Sequence, residues 1–220
     1  MELEHCFPVW NKLTAAQQEA LHRSTREKQV KKGALLHAGG QDCTGLLIVR
    51  QGQLRAYILS EEGREVTIYR LVEGDVCLFS ASCMMRSIQF DVTVEAERDT
   101  ALWVVPAEVY RGLMEQSTAV ANYTNDLMGS RFSEVMWLME QIMWRSFDQR
   151  LAQFLLQESA LEESDLLPLT HERIAAHLGT AREVVTRMLR YFQGEGMVRL
   201  VRGSVELTDV SKLKALCGQK

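Results

Sequence analysis

From about Gln29 to Val105 the apolar residues come in short runs punctuated by glycine. Leu46-Leu47-Ile48-Val49, Leu54 to Leu59, Val66 to Leu71, Val92 to Val94 and Ala101 to Val105 are strand-length, and Gly33, Gly39-Gly40, Gly45, Gly52, Gly63 and Gly74 stand between or beside them. β-favouring runs separated so regularly by turn residues predict an antiparallel sandwich or barrel. Asp42, Glu61-Glu62-Gly63 and Glu73-Gly74-Asp75 supply the loop chemistry such a fold needs. Past Pro106 glycine becomes scarce and the spacing turns helical. Met128, Phe132, Val135, Met139 and Ile142 step by 4, 3, 4 and 3 residues, and Leu127, Leu138 and Met143 widen the stripe, which predicts a long helix over roughly Ala119 to Trp144. That helix is apolar on more than one face, so it must pack on the β domain and on something else. With no other long helix to cover it, the same helix of a second copy is the natural partner, although burial within a monomer gives a similar stripe. Met128, Met136, Met139 and Met143 read as adaptable packing rather than as ligands.

Ser146 to about Ser159 forms another amphipathic pattern, ended by the solvated run Glu162-Glu163-Ser164-Asp165. The segment Thr170 to Arg190 then fits a helix-turn-helix followed by a strand pair. Two closely crossing helices need a small residue in the first, Ala175, and a positive φ in the turn, Gly179. Val185 plugs the angle between them, and Ile174, Leu178 and Met188 complete a small core. On the second helix Ala181, Val185, Met188, Leu189 and Phe192 define a buried face, which leaves Arg182, Glu183, Thr186, Arg187 and Arg190 on the other side. Such a face suits the major groove. Arginine can take both acceptors of guanine, and a carboxylate can accept from cytosine, while Thr186 and Arg190 are placed for phosphates. Thr180 and His171, at the starts of the two helices, join the candidate contacts. A structural role competes for Glu183, which lies three residues after Thr180 and so completes a capping-box pattern. Beyond Gly194-Glu195-Gly196, residues Met197 to Leu207 read as a hairpin turning near Gly203. It would act as a wing whose Arg199 and Arg202 reach the flanking backbone.

Composition sharpens this picture in three places. At 220 residues, 46% hydrophobic and 25% charged with 3 prolines, the chain is ordinary for a folded protein of one or two domains, and general disorder is excluded. No apolar stretch reaches the roughly 18 residues needed to span a bilayer, and the acidic start Met1 to His5 lacks a secretory signal, so a cytoplasmic location without membrane insertion is expected. Five irregularly spaced cysteines argue against a disulfide scaffold. Without Cys-x-x-Cys, His-x-His or His-Glu-x-x-His spacing, no structural metal site is expected. The formal charge of −4 conceals an asymmetry: residues 170–204 hold six arginines against three glutamates, a local +3 over the helix-turn-helix and wing.

A glycine-punctuated β domain, a long apolar helix and a winged helix-turn-helix together resemble the Crp/Fnr family of bacterial transcription regulators over nearly the whole chain. Gly33, Gly40, Gly52, Gly63-Arg64-Glu65 and Glu73-Gly74-Asp75 match its β-roll signature, and Phe147 to Ala152 match its hinge region. Arg182-Glu183-Val184-Val185-Thr186-Arg187 is similar to the Arg-Glu-x-x-x-Arg pattern of the family's cyclic-AMP-responsive branch, which implies an inverted repeat of TGTGA-like half-sites read by a dimer. The departures lie in the effector cassette. Cyclic-nucleotide binders follow Gly-Asp with Gly-Glu and then with an Arg-Ser or Arg-Thr pair that grips the phosphate. Here Gly-Glu is missing between Val76 and Asp91, and Arg86-Ser87 comes a few residues early. Aligning Val94-Glu95-Ala96 with the following strand puts Phe90-Asp91 in the pair's place, where an aspartate repels a phosphate. On the long helix Val135 and Met136 stand where the adenine-contacting hydroxyls of cyclic-AMP binders fall. Cyclic nucleotide is thereby disfavoured. The family's iron–sulfur sensors cluster N-terminal cysteines, of which only Cys6 is present. Haem-binding members use a cysteine near this cassette, and Cys77 could serve, but no histidine follows nearby.

The resulting expectation is an α+β protein. An N-terminal antiparallel, jelly-roll-like β-roll effector domain occupies 1–118, a dimerisation helix 119–145 with Met128, Phe132, Val135, Met139 and Ile142 at the seam, and a winged helix-turn-helix 146–220. The effector pocket draws on Cys77, Phe79, Ser80, Cys83, Arg86, Phe90, Val135 and Met136. Its ligand is unknown: a small molecule, a redox signal, or haem or metal through Cys77 and Cys83. Simple packing of those cysteines is the competing reading. The expected partners are palindromic double-stranded DNA, a second copy of the chain, and RNA polymerase if the protein activates. Two other functions stay open at this point: a regulator that needs no effector, and a cupin-like enzyme, against which stands the single histidine, His37, in the β region.

Overall fold

The computed structural model describes residues 2–38, 44–84 and 91–218, the side chains of Ser82, Cys83 and Met84 excepted. The chain divides into two compact units, Met1–Leu59 with Ile68–Val135, and Ser60–Thr67 with Met136–Lys220.

The first unit is built on two four-stranded sheets. One has the order β1 (Arg26–Val30), β8 (Thr100–Val105), β3 (Leu46–Gln51), β6 (Val76–Cys77), and the other β2 (Leu35–Ala38), β7 (Thr93–Ala96), β4 (Leu54–Leu59), β5 (Glu65–Leu71). The paired strands run antiparallel, with Leu47 opposite Val104 and Arg55 opposite Glu95. Side chains alternate across each pleat. Leu47, Val49, Cys77 and Leu102 of one sheet therefore meet Leu54, Ala56, Tyr69, Leu71, Val94 and Ala96 of the other in a closed core. The opposite face of the first sheet is also apolar. Leu46, Ile48, Val76 and Val105 pack with Leu3 and Cys6 of α1 (Leu3–Cys6), Leu21 of α2 (Ala15–Ser24), Tyr110 and Leu113 of α3 (Ala107–Gln116) and Val120 of α4 (Thr118–Trp144). Double burial explains why β3 reads as an unbroken apolar run: Leu46, Leu47, Ile48 and Val49 are all fully buried. On the outer face of the second sheet the buried Arg55 is paired with Glu95 at 3.3 Å and lies over the Tyr57 ring, so its charge is compensated locally. At Gly52 the chain turns with φ +99°, and a Cβ there would come within 2.5 Å of the Asp99 carbonyl oxygen, which only glycine avoids.

The second unit surrounds one core. Leu151, Phe154 and Leu155 of α5 (Phe147–Glu162), Ile174 and Ala175 of α6 (His171–Leu178), and Val185, Leu189 and Phe192 of α7 (Arg182–Gly194) meet Val198 and Val205 of the hairpin β10 (Val198–Val201) and β11 (Ser204–Leu207). Two elements are additions to the sequence reading. β9 (Leu166–Leu167) pairs with β11 to make a three-stranded sheet, and α8 (Val210–Leu216) follows the hairpin and buries Leu213. The hairpin is thus not the last element.

Among the described residues no helix is long and apolar enough to cross a membrane.

Candidate nucleic-acid interface

α6 begins at Thr170, whose hydroxyl accepts from the Arg173 amide, and ends at Gly179 in the left-handed region with φ 66°. The amides of Gly179 and Thr180 both bond back to the Ala175 carbonyl, which closes the turn tightly enough for α7 to start three residues later. Thr180 is therefore still part of the α6 cap. The N-cap of α7 is Ala181, with no side-chain hydrogen bond, so the expected Thr180–Glu183 capping box does not form. As an N-cap outside the helix, Ala181 is exposed and leaves the predicted buried face, which consists of Val185, Leu189 and Phe192 at 0% exposure with Met188 partly buried beside them.

Arg182, Glu183, Arg187 and Arg190 are all exposed on α7, Arg182 at its first position and the other three on the side away from that core. Without a cap to make, Glu183 is released to be read as a contact residue. Thr186 departs from expectation. Its hydroxyl donates to the Arg182 carbonyl at 2.9 Å and lies 2.9 Å from His171 Nδ1, so it ties α6 to α7 instead of standing free for a phosphate. Burial, followed by the fields of Arg182 and Arg190, holds the His171 imidazole below its ordinary pKa. A cleft of about 430 Å³ opens here, with His171, Glu172 and Arg182 on one side and Leu200, Gly203 and Ser204 of the hairpin on the other.

In the wing, the two candidate arginines differ. Arg199 on β10 faces Glu206 on β11 in register, and its Nε donates to Glu206 Oε2 at 2.6 Å. Arg202 sits in the two-residue turn with Gly203 and is exposed. Arg202 is the projecting cation, whereas Arg199 is neutralised in place; the register that sets Glu206 opposite it was not read from the sequence.

The candidate effector residues fall in the first unit. Cys77 and Phe79 lie in the core between the sheets, and buried Ser80 donates to the Cys77 carbonyl at 2.8 Å. Burial pushes the Cys77 thiol up, which disfavours the thiolate that redox or metal chemistry requires. Cys83 lies in a 3-10 turn, its side chain outside the described residues, as are Arg86 and Phe90 altogether. Val135 is half-buried and Met136 is 46% exposed on α4. Among the described residues no group of three or more His, Cys, Asp or Glu side chains is gathered as a metal site.

Two residues that sequence reasoning passed over stand out in this region. Tyr69 is buried against Phe79, its ring centroid 5.8 Å away, and the Arg131 guanidinium lies 4.4 Å over its ring. Arg131 Nη1 donates to both Glu134 carboxylate oxygens at 2.8 Å. Tyr69 Oη and Arg131 Nε are buried and have no oxygen or nitrogen partner among the described residues. A cation at 131, within the apolar helical stretch, was the available signal.

On α4 the predicted seam is largely open: Phe132 is 66% exposed, Met139 and Ile142 are each 47%, and Met143 is 63%. Met128 packs at the edge of the helix-covered core, and Val135 is half-buried.

Comparison with known proteins matches both halves of the chain. Residues 27–117 match the cyclic nucleotide-binding domain and residues 149–216 the Crp-like helix-turn-helix domain. The chain is 28% identical to the cyclic AMP receptor protein of Thermus thermophilus over 78% of each chain. It is 26% identical to the transcriptional activator protein anr of Pseudomonas aeruginosa over 97% of this chain and 88% of that one. A crystal structure of a regulator of the Crp/Fnr family from Eubacterium rectale is 57% identical, with a TM-score of 0.95 over 97% of this chain and 99% of that one.

Proposed function

The chain belongs to the Crp/Fnr family of DNA-binding transcription regulators, and from that premise we propose that it acts as a homodimer on an inverted-repeat operator, under an effector other than cyclic AMP. The observation that carries this reading is the two-sided character of α7: Val185, Leu189 and Phe192 are fully buried, Glu183, Arg187 and Arg190 are exposed opposite them, and Arg182 is exposed at the first position of the helix. A recognition helix needs a core-locked back and a front whose donors match base edges. Arg182 and Arg187 suit guanine, Glu183 suits cytosine, and Arg190 and Arg202 suit phosphates. Thr186 then works indirectly, by fixing His171.

Dimerisation is supported by the apolar stripe Phe132, Met139, Ile142 and Met143 on α4, which is costly to leave in water and self-complementary about a two-fold axis. Ligand binding in the β-roll would bias a two-state arrangement of the paired helices, with Ser146 to Arg150 as the hinge, and so set the two recognition helices about 34 Å apart. If the protein activates, RNA polymerase is the further partner.

For the effector, the missing Gly-Glu pair and Asp91 weigh against a cyclic phosphate. Haem or metal ligation at Cys77 is disfavoured by its full burial and raised pKa. The buried Arg131 Nε, without a hydrogen-bond partner among the described residues, favours a dissociable small molecule with a hydrogen-bond acceptor over a regulator that needs no ligand.

The test is selection of bound duplexes from a random-sequence pool. The expected product is an inverted repeat with half-site centres roughly one helical turn apart. Recovery of no enriched sequence, or of a single unrepeated half-site bound by monomer, would overturn the proposal.

A further inference from the structure

We propose that His171 is a proton-linked phosphate contact, so that binding to any DNA duplex is coupled to uptake of a proton on its Nε2. This rests on the DNA-binding reading above and deepens it. The argument begins with one hydrogen atom. Thr186 has a single hydroxyl proton, and it is committed to the Arg182 carbonyl one helical turn back at 2.9 Å. Keeping both contacts leaves that oxygen to accept from His171 Nδ1, also 2.9 Å away. Nδ1 therefore carries hydrogen whether the ring is neutral or charged, and Nε2 is the nitrogen that titrates.

The neutral form is the resting one. The ring is half-buried at the first position of α6, whose N-terminal dipole opposes a cation, and Arg182 and Arg190 act on it from α7. On its own helix Glu172 is exposed, and the hairpin side of the cleft contributes Leu200, Val201, Gly203 and Ser204, none of them titratable. In neutral His171, which lines the cleft, Nε2 is left with a lone pair, which repels a phosphate oxygen.

A phosphate at this point changes each term. It offsets the fields of Arg182 and Arg190, supplies an anion beside the ring, and rewards an Nε2–H donor with a charge-assisted hydrogen bond. The imidazole pKa, depressed in the free protein, is therefore raised in the complex. In the pH window between the two values binding takes up a proton, and the affinity grows as pH falls. The slope of log Kd against pH reaches at most about one per protomer. Each unit of separation between the two pKa values is worth about tenfold per protomer. Because the partner is the backbone, the slope is independent of sequence.

The experiment measures Kd by fluorescence anisotropy from pH 5.5 to 8 at fixed ionic strength, with a selected operator and with a random-sequence duplex of equal length. Wild type, His171→Gln and His171→Arg are compared. Wild type is expected to tighten toward low pH on both duplexes. His171→Gln should bind with a flat profile, and His171→Arg should be flat and tight even at pH 8. Nitrogen-detected NMR titration of the wild-type ring, with and without the random-sequence duplex, is expected to show an upward pKa shift on binding and requires no variant. An unchanged ring pKa, or a His171→Gln profile as steep as that of wild type, would overturn the proton link and leave DNA binding intact. Failure of wild type to bind either duplex at any pH would overturn the regulator reading together with this one.

Discussion

Replacement of Phe132 by alanine is expected to dissociate the proposed dimer. Phe132 is 66% exposed on α4, at the N-terminal end of an exposed stripe completed by Met139, Ile142 and Met143. About two thirds of a phenylalanine side chain of roughly 200 Å² leaves on the order of 130 Å² of apolar surface to be covered. At about 25 cal/mol per Å², and allowing for the methyl that alanine keeps, the loss is about 2–3 kcal/mol per protomer. A two-fold interface counts it twice, so the dimer weakens by about 4–6 kcal/mol, or roughly 10³–10⁴ in Kd. Trp144 provides the control. It is the more exposed residue at 77%, but it lies about 120° round the helix from Phe132. Sedimentation equilibrium across nanomolar to micromolar concentrations, run in parallel with operator titrations, separates the two variants. Phe132→Ala should be monomeric where wild type is dimeric and should lose operator affinity that high protein concentration restores, whereas Trp144→Ala should associate as wild type does. Equal effects of the two substitutions would show that the stripe is not the seam, and a monomeric wild type bound to its operator would remove the argument altogether.

Other outcomes follow from the same structure. Arg182→Ala and Arg187→Ala should each weaken specific binding by about 1–3 kcal/mol and relax the preference at one base pair, as read by anisotropy against single-base operator variants. Arg202→Ala should lower the salt slope of log Kd by about one per protomer, while Arg199→Ala, whose charge is already paired with Glu206, should change it less. Leu189→Ala, which truncates a fully buried side chain, should destabilise the winged-helix unit by about 2–5 kcal/mol in urea titrations. Gly179→Ala, at φ 66° and with its new Cβ 2.5 Å from Val66 Cγ2, should cost more in the same assay than the left-handed backbone alone, which is worth about 1–2 kcal/mol. Cys6, Cys77 and Cys217 are buried with thiol pKa values pushed up by burial, so alkylation followed by mass spectrometry should find them slow at neutral pH, faster as pH rises toward thiolate formation, and fully reactive once the chain is unfolded.

What the sequence made legible follows from how strongly each residue is constrained by its own neighbours. The strands around Leu46–Val49, Leu54–Leu59 and Val66–Leu71 were readable because glycine turns bracket them, and the helix-turn-helix because Ala175, Gly179 and Val185 satisfy separate steric demands at fixed spacing. α2 was not: it buries only Leu21, and its start is fixed by a Thr14–Gln17 capping box within a largely polar segment that carries no amphipathic stripe. β9 and α8 were missed for a related reason. Two residues of strand, or seven of helix, have meaning only beside the hairpin and core that hold them.

The functional residues divide along the same line. A periodic pattern can place Glu183, Arg187 and Arg190 on an open face, because exposure is the complement of a buried stripe that the sequence displays. It cannot show that the Arg199 charge is taken up by Glu206 across the hairpin, or that the Arg131 guanidinium lies over Tyr69, since those partners are set by register and by long-range packing. Thr186 is the clearest instance. From its position it belongs with the arginines, yet the hydroxyl bonds back to Arg182 and on to His171. One side chain read as a contact becomes the support that decides which nitrogen of another residue is left to titrate. In this interface the positive charge that can be counted along the chain supplies affinity for any duplex, while orientation and proton state depend on short links between α6 and α7 that only the folded chain brings together.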